Sequence, residues 1–180
     1  MIAVLGSTLG ISVSGCLGTS FGEADRSDLS EYDEQGLQSY EEGYELSQDA
    51  LELFETSVWD YFDRDTEPDL PESEWLELQD TIQDRTKDFS ESVNRFTEAR
   101  QLSESAAFNE PALNAEEWTE NYSNACRELS DAALFYGREM VAEWGELYEH
   151  QQAEEHLLNA EEVGKPLNPE ELLNRILDDY

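Results

Sequence analysis

Apolar residues recur every three or four positions through most of the chain after residue 28, with acidic residues between them. This period is typical of amphipathic helices, and no alternating run of polar and apolar residues indicates a strand. From about residue 28 to residue 65 the stripe predicts a first long helix, whose inward positions follow a coiled-coil seam. The members of this stripe are Leu37, Tyr40, Tyr44, Ser47, Leu51, Phe54, Val58 and Tyr61.

A second helix is predicted from about Glu72 to Ser105, because Pro68 and Pro71 punctuate the connection before it. The Asn-Glu-Pro sequence at 109–111 is interpreted as the break that follows it. The inward stripe of this helix comprises Trp75, Leu78, Ile82, Phe89, Val93 and Phe96.

The third helix is predicted to begin at Asn114, whose side chain can cap the first turn while Glu117 reaches back to it. Its stripe continues toward a stop signal at Gly164 and Pro166. Whether this helix breaks on the way, at Gly137, Gly145 or Asn159, stays open. The stripe consists of Trp118, Tyr122, Ala125, Leu129, Ala132, Tyr136, Met140, Trp144 and Leu147.

A short fourth helix is predicted to start at Asn168 and Pro169, which supply an N-cap and a first-turn proline. Short connections make consecutive helices antiparallel. The pattern therefore predicts an all-α fold, an elongated up-down-up bundle of three long helices plus a short C-terminal helix. Residues 28–180 are enough for one core, so we interpret them as a single helical-bundle domain.

The charge of the chain is one-sided, with 44 Asp and Glu against 10 Lys and Arg and a formal net charge of −34. Binding to nucleic acid needs clustered Lys and Arg, and the sequence contains no such cluster. Aromatic residues make up 11% of the chain, which argues against a disordered acidic segment. The repulsion between carboxylates is screened only at high salt, which indicates a protein of concentrated brine.

The first fifteen residues carry no charge and are too few to span a bilayer, which needs about 20. They lead into the sequence Val-Ser-Gly-Cys, in which small residues precede Cys16. With the acidic composition, this segment resembles that of a haloarchaeal secreted lipoprotein. The resemblance implies a signal peptide over 1–15, a lipid on Cys16, a tether over 16–27 and a place on the extracytoplasmic face of the cell membrane. No Lys or Arg precedes Cys16, so the basic n-region of a signal peptide is missing.

The cysteines and histidines form no familiar catalytic pattern. Cys126 lies beside Ala125 and Leu129 on an apolar helix face, which favours a small buried side chain. His150 and His156 are the two histidines, and both lie in a polar stretch. The sequence also contains no phosphate-binding loop, dinucleotide fingerprint or nucleophile elbow. We therefore expect no enzymatic activity and no cofactor.

The connection between the first two helices contains a candidate metal site. Asp63, Asp65, Glu67 and Glu74 stand at positions 1, 3, 5 and 12 of a loop that resembles an EF-hand calcium loop. The sixth position, where the turn needs glycine, is Pro68, which cannot adopt a positive φ. We interpret the segment as a solvated acidic turn and expect no metal there.

Three classes of function are compatible with these features. The long helical faces favour a non-catalytic interaction or structural module at the cell surface, with another surface protein as its partner. The alternative is a small-molecule or cation-binding module, because aromatic rings among carboxylates can hold a cation through cation–π contacts. The rings in question are Tyr32, Tyr40, Tyr44, Phe54 and Tyr61. An enzyme is the least favoured class.

Overall fold

The computed structural model describes residues 26–62, 70–138 and 147–179. Within these ranges 88% of the residues are helical and none lies in a strand, which confirms the all-α fold. The helices are α1 (Glu31–Ser57), α2 (Glu72–Leu102), α3 (Ala106–Gly137), α4 (Tyr148–Val163) and α5 (Pro169–Asp178), and short 3-10 turns occupy Arg26–Asp28 and Trp59–Tyr61.

Consecutive helices pack against one another: α1 on α2, α2 on α3 and α3 on α4, while the short α5 contacts α1 and α3. At 1.5 Å per residue the three long helices measure about 40–48 Å. Their apolar stripes meet in two buried clusters. The cluster near the end of α1 includes Phe54, Phe62, Trp75, Phe89, Trp118 and Leu129. The cluster near its start includes Leu37, Tyr40, Phe96, Phe108, Leu172 and Ile176.

Helix α1 lies very close to α2 because glycines face the contact. A Cβ atom at Gly43 would lie 3.2 Å from the ring of Phe96. One at Gly36 would lie 3.1 Å from the carbonyl oxygen of Ala99. The hydroxyl of Ser92 also donates to the carbonyl oxygen of Gly43 at 2.6 Å. Each glycine lowers helix propensity, but the pair lets the two backbones approach.

The break between α2 and α3 lies at residues 103–105 and depends on a distant carboxylate. Asp33 is 1% exposed, and its Oδ1 accepts from the backbone N–H groups of Glu104 at 3.0 Å and of Ser105 at 3.1 Å. The same oxygen accepts from the Ser103 hydroxyl. One side chain of α1 therefore satisfies the donors at the corner where the chain turns into α3.

The predicted break at 109–111 and the predicted cap at Asn114 are wrong, because both positions lie inside α3. Ser105 caps the helix instead, since its hydroxyl oxygen accepts from the N–H of Ala107 at 3.2 Å. Pro111 is buried in the second turn, where its missing N–H removes one backbone hydrogen bond. Asn114 is exposed, so its side chain does not form a capping box.

Helix α1 ends at Ser57 and not near residue 65. The 3-10 turn that follows is flanked by Val58 and Phe62, which are both 0% exposed in the core at the end of the bundle. The helix ends where the backbone of Val58 leaves the α-helical range, with a φ of −124°. Tyr61, predicted to face inward, is 39% exposed because the turn rotates it away from the seam.

The third predicted helix is two helices. Helix α3 ends at Gly137 and α4 begins at Tyr148, so the break falls near the first of the three positions left open. Gly145 lies outside the described residues, and α4 continues through Asn159 without interruption. The stop at Gly164 is confirmed, with a φ of 84° that favours glycine.

The short C-terminal helix is confirmed with its cap. Asn168 Oδ1 accepts from the N–H of Glu170 at 2.9 Å, and Pro169 occupies the first turn. The apolar face of α5 buries Leu172 and Ile176 against the start of α1. None of the described helices combines the length and the apolar character that a membrane span requires.

Replacing Asp33 with alanine tests the corner between α2 and α3. The variant leaves the backbone N–H groups of Glu104 and Ser105 without their carboxylate acceptor, so we expect Asp33→Ala to lower the free energy of unfolding by about 2–4 kcal/mol. Chemical denaturation in molar salt measures this loss. Asp49→Ala removes an exposed carboxylate from the same helix and should change stability by less than about 0.5 kcal/mol. Equal losses in the two variants would contradict the capping role of Asp33.

Candidate functional site

A groove of about 420 Å³ lies between α1 and α4, at the end of the bundle where α1 gives way to the 3-10 turn. Helix α4 packs on α3 and α1 packs on α2, so the two outer helices flank a strip of α3 that neither covers completely. The groove is lined by Phe54, Glu55, Trp59, Tyr122, Glu154, Leu157, Leu158 and Glu161.

Three aromatic rings from two parts of the chain form the floor and one wall of the groove. Phe54 meets Tyr122 edge-on, with ring centroids 5.6 Å apart, and stacks near Trp59 at 6.2 Å. Tyr122 is held from behind by Phe89 at 5.2 Å and by Trp118 at 4.5 Å. These core contacts hold the Tyr122 ring in place before any ligand arrives.

Helix α4 supplies the opposite wall through one face. Glu154, Leu157, Leu158 and Glu161 are spaced by three and four residues, which places them along a single side of the helix. Leu157 packs against the core, whereas Leu158 is 61% exposed at the mouth of the groove. This wall therefore offers apolar side chains in the middle and a carboxylate toward each end.

Negative charge surrounds the rings. Glu55 and Glu161 are exposed, while Glu154 is half-buried and lies 3.9 Å from Nε2 of the buried His150. Burial, and then the nearby carboxylates of Glu55 and Glu161, raise the pKa of Tyr122 to about 12. The groove thus combines an apolar surface with a negative potential, which disfavours anions and favours cations.

The neighbours of His150 in the sequence suggested a polar surface stretch, but the structure buries this residue. Its Nε2 lies 3.0 Å from the carbonyl oxygen of Phe62, which can only accept, so this nitrogen carries the proton and donates. Its Nδ1 lies 3.1 Å from the hydroxyl of Tyr136. Both ring nitrogens are therefore engaged in joining the start of α4 to the ends of α1 and α3.

Cys126 is buried on α3, as its apolar neighbours predicted. Burial raises the pKa of its thiol well above the ordinary value, so the thiolate that nucleophilic chemistry requires is not populated at neutral pH.

Most of the site residues singled out in the sequence lie outside the part of the chain that the structure describes. Cys16 and three carboxylates of the calcium-loop candidate, Asp63, Asp65 and Glu67, lie outside the described residues, and Glu74 is exposed in the first turn of α2. Within the ranges described, no group of three or more His, Cys, Asp or Glu side chains is placed to hold a metal ion.

The aromatic set proposed as a cation lining is also dispersed. Tyr40 is fully buried and donates to the carbonyl oxygen of Leu167 at 2.9 Å, whereas Tyr32 is 55% exposed. Of that set only Phe54 lines the groove. Its aromatic companions, Trp59 and Tyr122, were not in the set. The paired leucines and flanking glutamates of α4 were the signal that could have indicated this wall.

The chain matches no known family model, and neither a curated protein nor a solved structure is significantly similar to it.

The raised pKa of Tyr122 predicts how stability depends on alkaline pH. Its pKa is about 12 in the folded protein against an ordinary 10.0, so the unfolded chain loses the proton first. The stabilisation is complete below pH 10 and is lost as the pH rises through 12. We expect Tyr122→Phe to make the free energy of unfolding fall less steeply above pH 10, as measured by denaturation at a series of pH values. Tyr148→Phe, at a residue 66% exposed, is the control, and an identical slope for both variants and wild type would refute the assignment.

Proposed function

We propose that the protein is a non-catalytic binding module, held on the outer face of a cell membrane by a lipid on Cys16, with the groove between α1 and α4 as its binding surface. The observation that carries this proposal is the groove itself. Three aromatic rings, two leucines and three carboxylates converge there from α1, the 3-10 turn after it, α3 and α4. Concave sites with an apolar lining and a few polar groups are the usual form of small-molecule sites.

The dimensions of the groove favour a small ligand over a protein partner. Its volume of about 420 Å³ lies in the range of roughly 300–1,000 Å³ that is typical of small-molecule pockets. A stable protein partner would cover about 800 Å² on each side. We therefore favour a small-molecule-binding module over the interaction module that the sequence features favoured.

Two buried groups support the non-catalytic part of the proposal. The ring nitrogens of His150 are engaged with Phe62 and Tyr136, and the thiol of Cys126 is kept protonated by burial. Neither group is a nucleophile or base poised at the groove.

Attachment to the membrane is supported by the sequence before Cys16, and the acidic composition supports a setting of high salt. A lipid on Cys16 and a short tether would keep the bundle near the membrane while its negative surface stays in solution. On this proposal the ligand is met outside the cell.

A screen of small solutes tests the groove as the binding surface. Thermal melts in molar salt are compared for cationic, zwitterionic, neutral and anionic solutes. At a concentration of 100 times Kd a ligand stabilises by about 2.7 kcal/mol, so we expect at least one class to raise the Tm by about 5–10 °C. Leu158→Arg places a side chain across the mouth and should abolish the shift, whereas Leu113→Arg, at an exposed residue of α3, should keep it. The proposal is wrong if no class shifts the Tm, or if Leu158→Arg responds like wild type.

Substitution of Cys16 tests the anchor. We expect the wild-type protein to partition with membranes and Cys16→Ser to be recovered in the aqueous fraction, because the serine hydroxyl cannot receive the thioether-linked lipid. Mass spectrometry of the mature N-terminus identifies the modification directly. An unmodified Cys16 in a chain expressed with its natural start would contradict the anchor.

A further inference from the structure

We infer that the groove binds a small organic ammonium cation, whose apolar substituents lie against Trp59 and Tyr122 and whose charge faces Glu55, Glu154 and Glu161. This inference rests on the proposed function and specifies its ligand. It combines two features of the same groove, an aromatic lining and a ring of carboxylates, each of which selects a different property of the ligand.

The carboxylates select positive charge. Three of the eight residues that line the groove are glutamates, and no Lys, Arg or His is among them. The raised pKa of Tyr122 agrees with this, because two of those glutamates contribute to it. An anion would meet three like charges, and a neutral solute would gain no charge–charge attraction from them.

The rings select an organic cation over a metal ion. A hydrated sodium or potassium ion gains little from an apolar wall, whereas an alkylammonium group buries its methyl or methylene groups there. Cation–π attraction acts within about 6 Å of a ring centroid and is largest for tryptophan, so Trp59 is the main contact expected. Competition from abundant metal ions in brine is therefore overcome by the apolar and aromatic contacts.

Preorganisation strengthens this selectivity. Tyr122 is held by Phe89 and Trp118, and Phe54 is 2% exposed in the core. The Tyr122 ring needs no rearrangement to receive a ligand, so little ordering cost offsets the contacts it makes. Leu158, which is 61% exposed, then covers the outer side of the bound cation.

The decisive experiment compares choline with 3,3-dimethylbutan-1-ol, an uncharged isostere in which carbon replaces nitrogen. Binding of each to the full-length protein is measured by ligand-observed NMR titration in molar sodium chloride. We expect saturable one-to-one binding of choline and at least roughly tenfold weaker binding of the isostere. Equal affinities would show that binding in the groove does not depend on the charge of the ligand, and would overturn the inference.

Matched variants identify the carboxylates that attract the positive charge of the ligand. The double variant Glu55→Gln, Glu161→Gln removes two exposed carboxylates that line the groove. It should weaken choline about tenfold and leave the isostere unchanged. The control variant Glu52→Gln, Glu162→Gln removes two exposed carboxylates from the same helices outside the groove lining, and should bind as wild type does. Equal weakening in both would mean diffuse attraction by the acidic surface and would overturn the inference.

The ring contribution has its own variant. Trp59→Leu keeps an apolar side chain but removes the π face, so it should weaken choline about fivefold and the isostere by less than twofold. Equal weakening of the two ligands would overturn the cation–π contact.

The solute screen distinguishes failure of this inference from failure of the proposed function. If neutral or anionic solutes bind in a way that Leu158→Arg abolishes while choline does not bind, the groove is a binding site and the ammonium inference is wrong. If no solute binds at the groove, both are wrong.

Discussion

The close contact between α1 and α2 determines how the other helices pack in the bundle. A Cβ atom at Gly36 or Gly43 would crowd α2, and the hydrogen bond from the Ser92 hydroxyl to the Gly43 carbonyl oxygen fixes the register of the two helices. Helix α1 packs mainly on α2 and meets α3 at fewer points, such as Phe54 against Tyr122. Helix α4 packs on α3 from the other side. The uncovered strip between α1 and α4 contains Tyr122 and becomes the groove.

Acidic side chains have different roles at the surface and in the interior of this protein. At the surface of the described residues most carboxylates are solvated, and an ion pair as exposed as that between Lys87 and Asp84 contributes little to stability. In the interior Asp33 is surrounded by donors and holds the corner between α2 and α3. The groove lies between these extremes, because its glutamates border buried rings.

Periodicity predicted the helical architecture well, because each long helix has a continuous inward stripe and α5 has a local cap at Asn168. The break before α3 could not be predicted in this way. Its position depends on Asp33, a residue about 70 positions earlier in the chain, whereas the local sequence around Pro111 and Asn114 carries stronger signals. Tertiary capping overruled local propensity there.

The groove escaped prediction for a related reason. Tyr122 recurs at helical spacing and was assigned to the core, and three of its neighbouring rings do pack there. One side of Tyr122 also borders the groove. This follows from the position of α4, which cannot be deduced from the apolar stripe of α3. We propose that a cation binds at this border between Tyr122 and the groove. Two-dimensional NMR of the tryptophan indole N–H groups during a choline titration tests it most directly. We predict that the Trp59 resonance shifts saturably while that of Trp75, which lies in the α2–α3 core, stays in place. Equal shifts of both resonances, or none at Trp59, would contradict it.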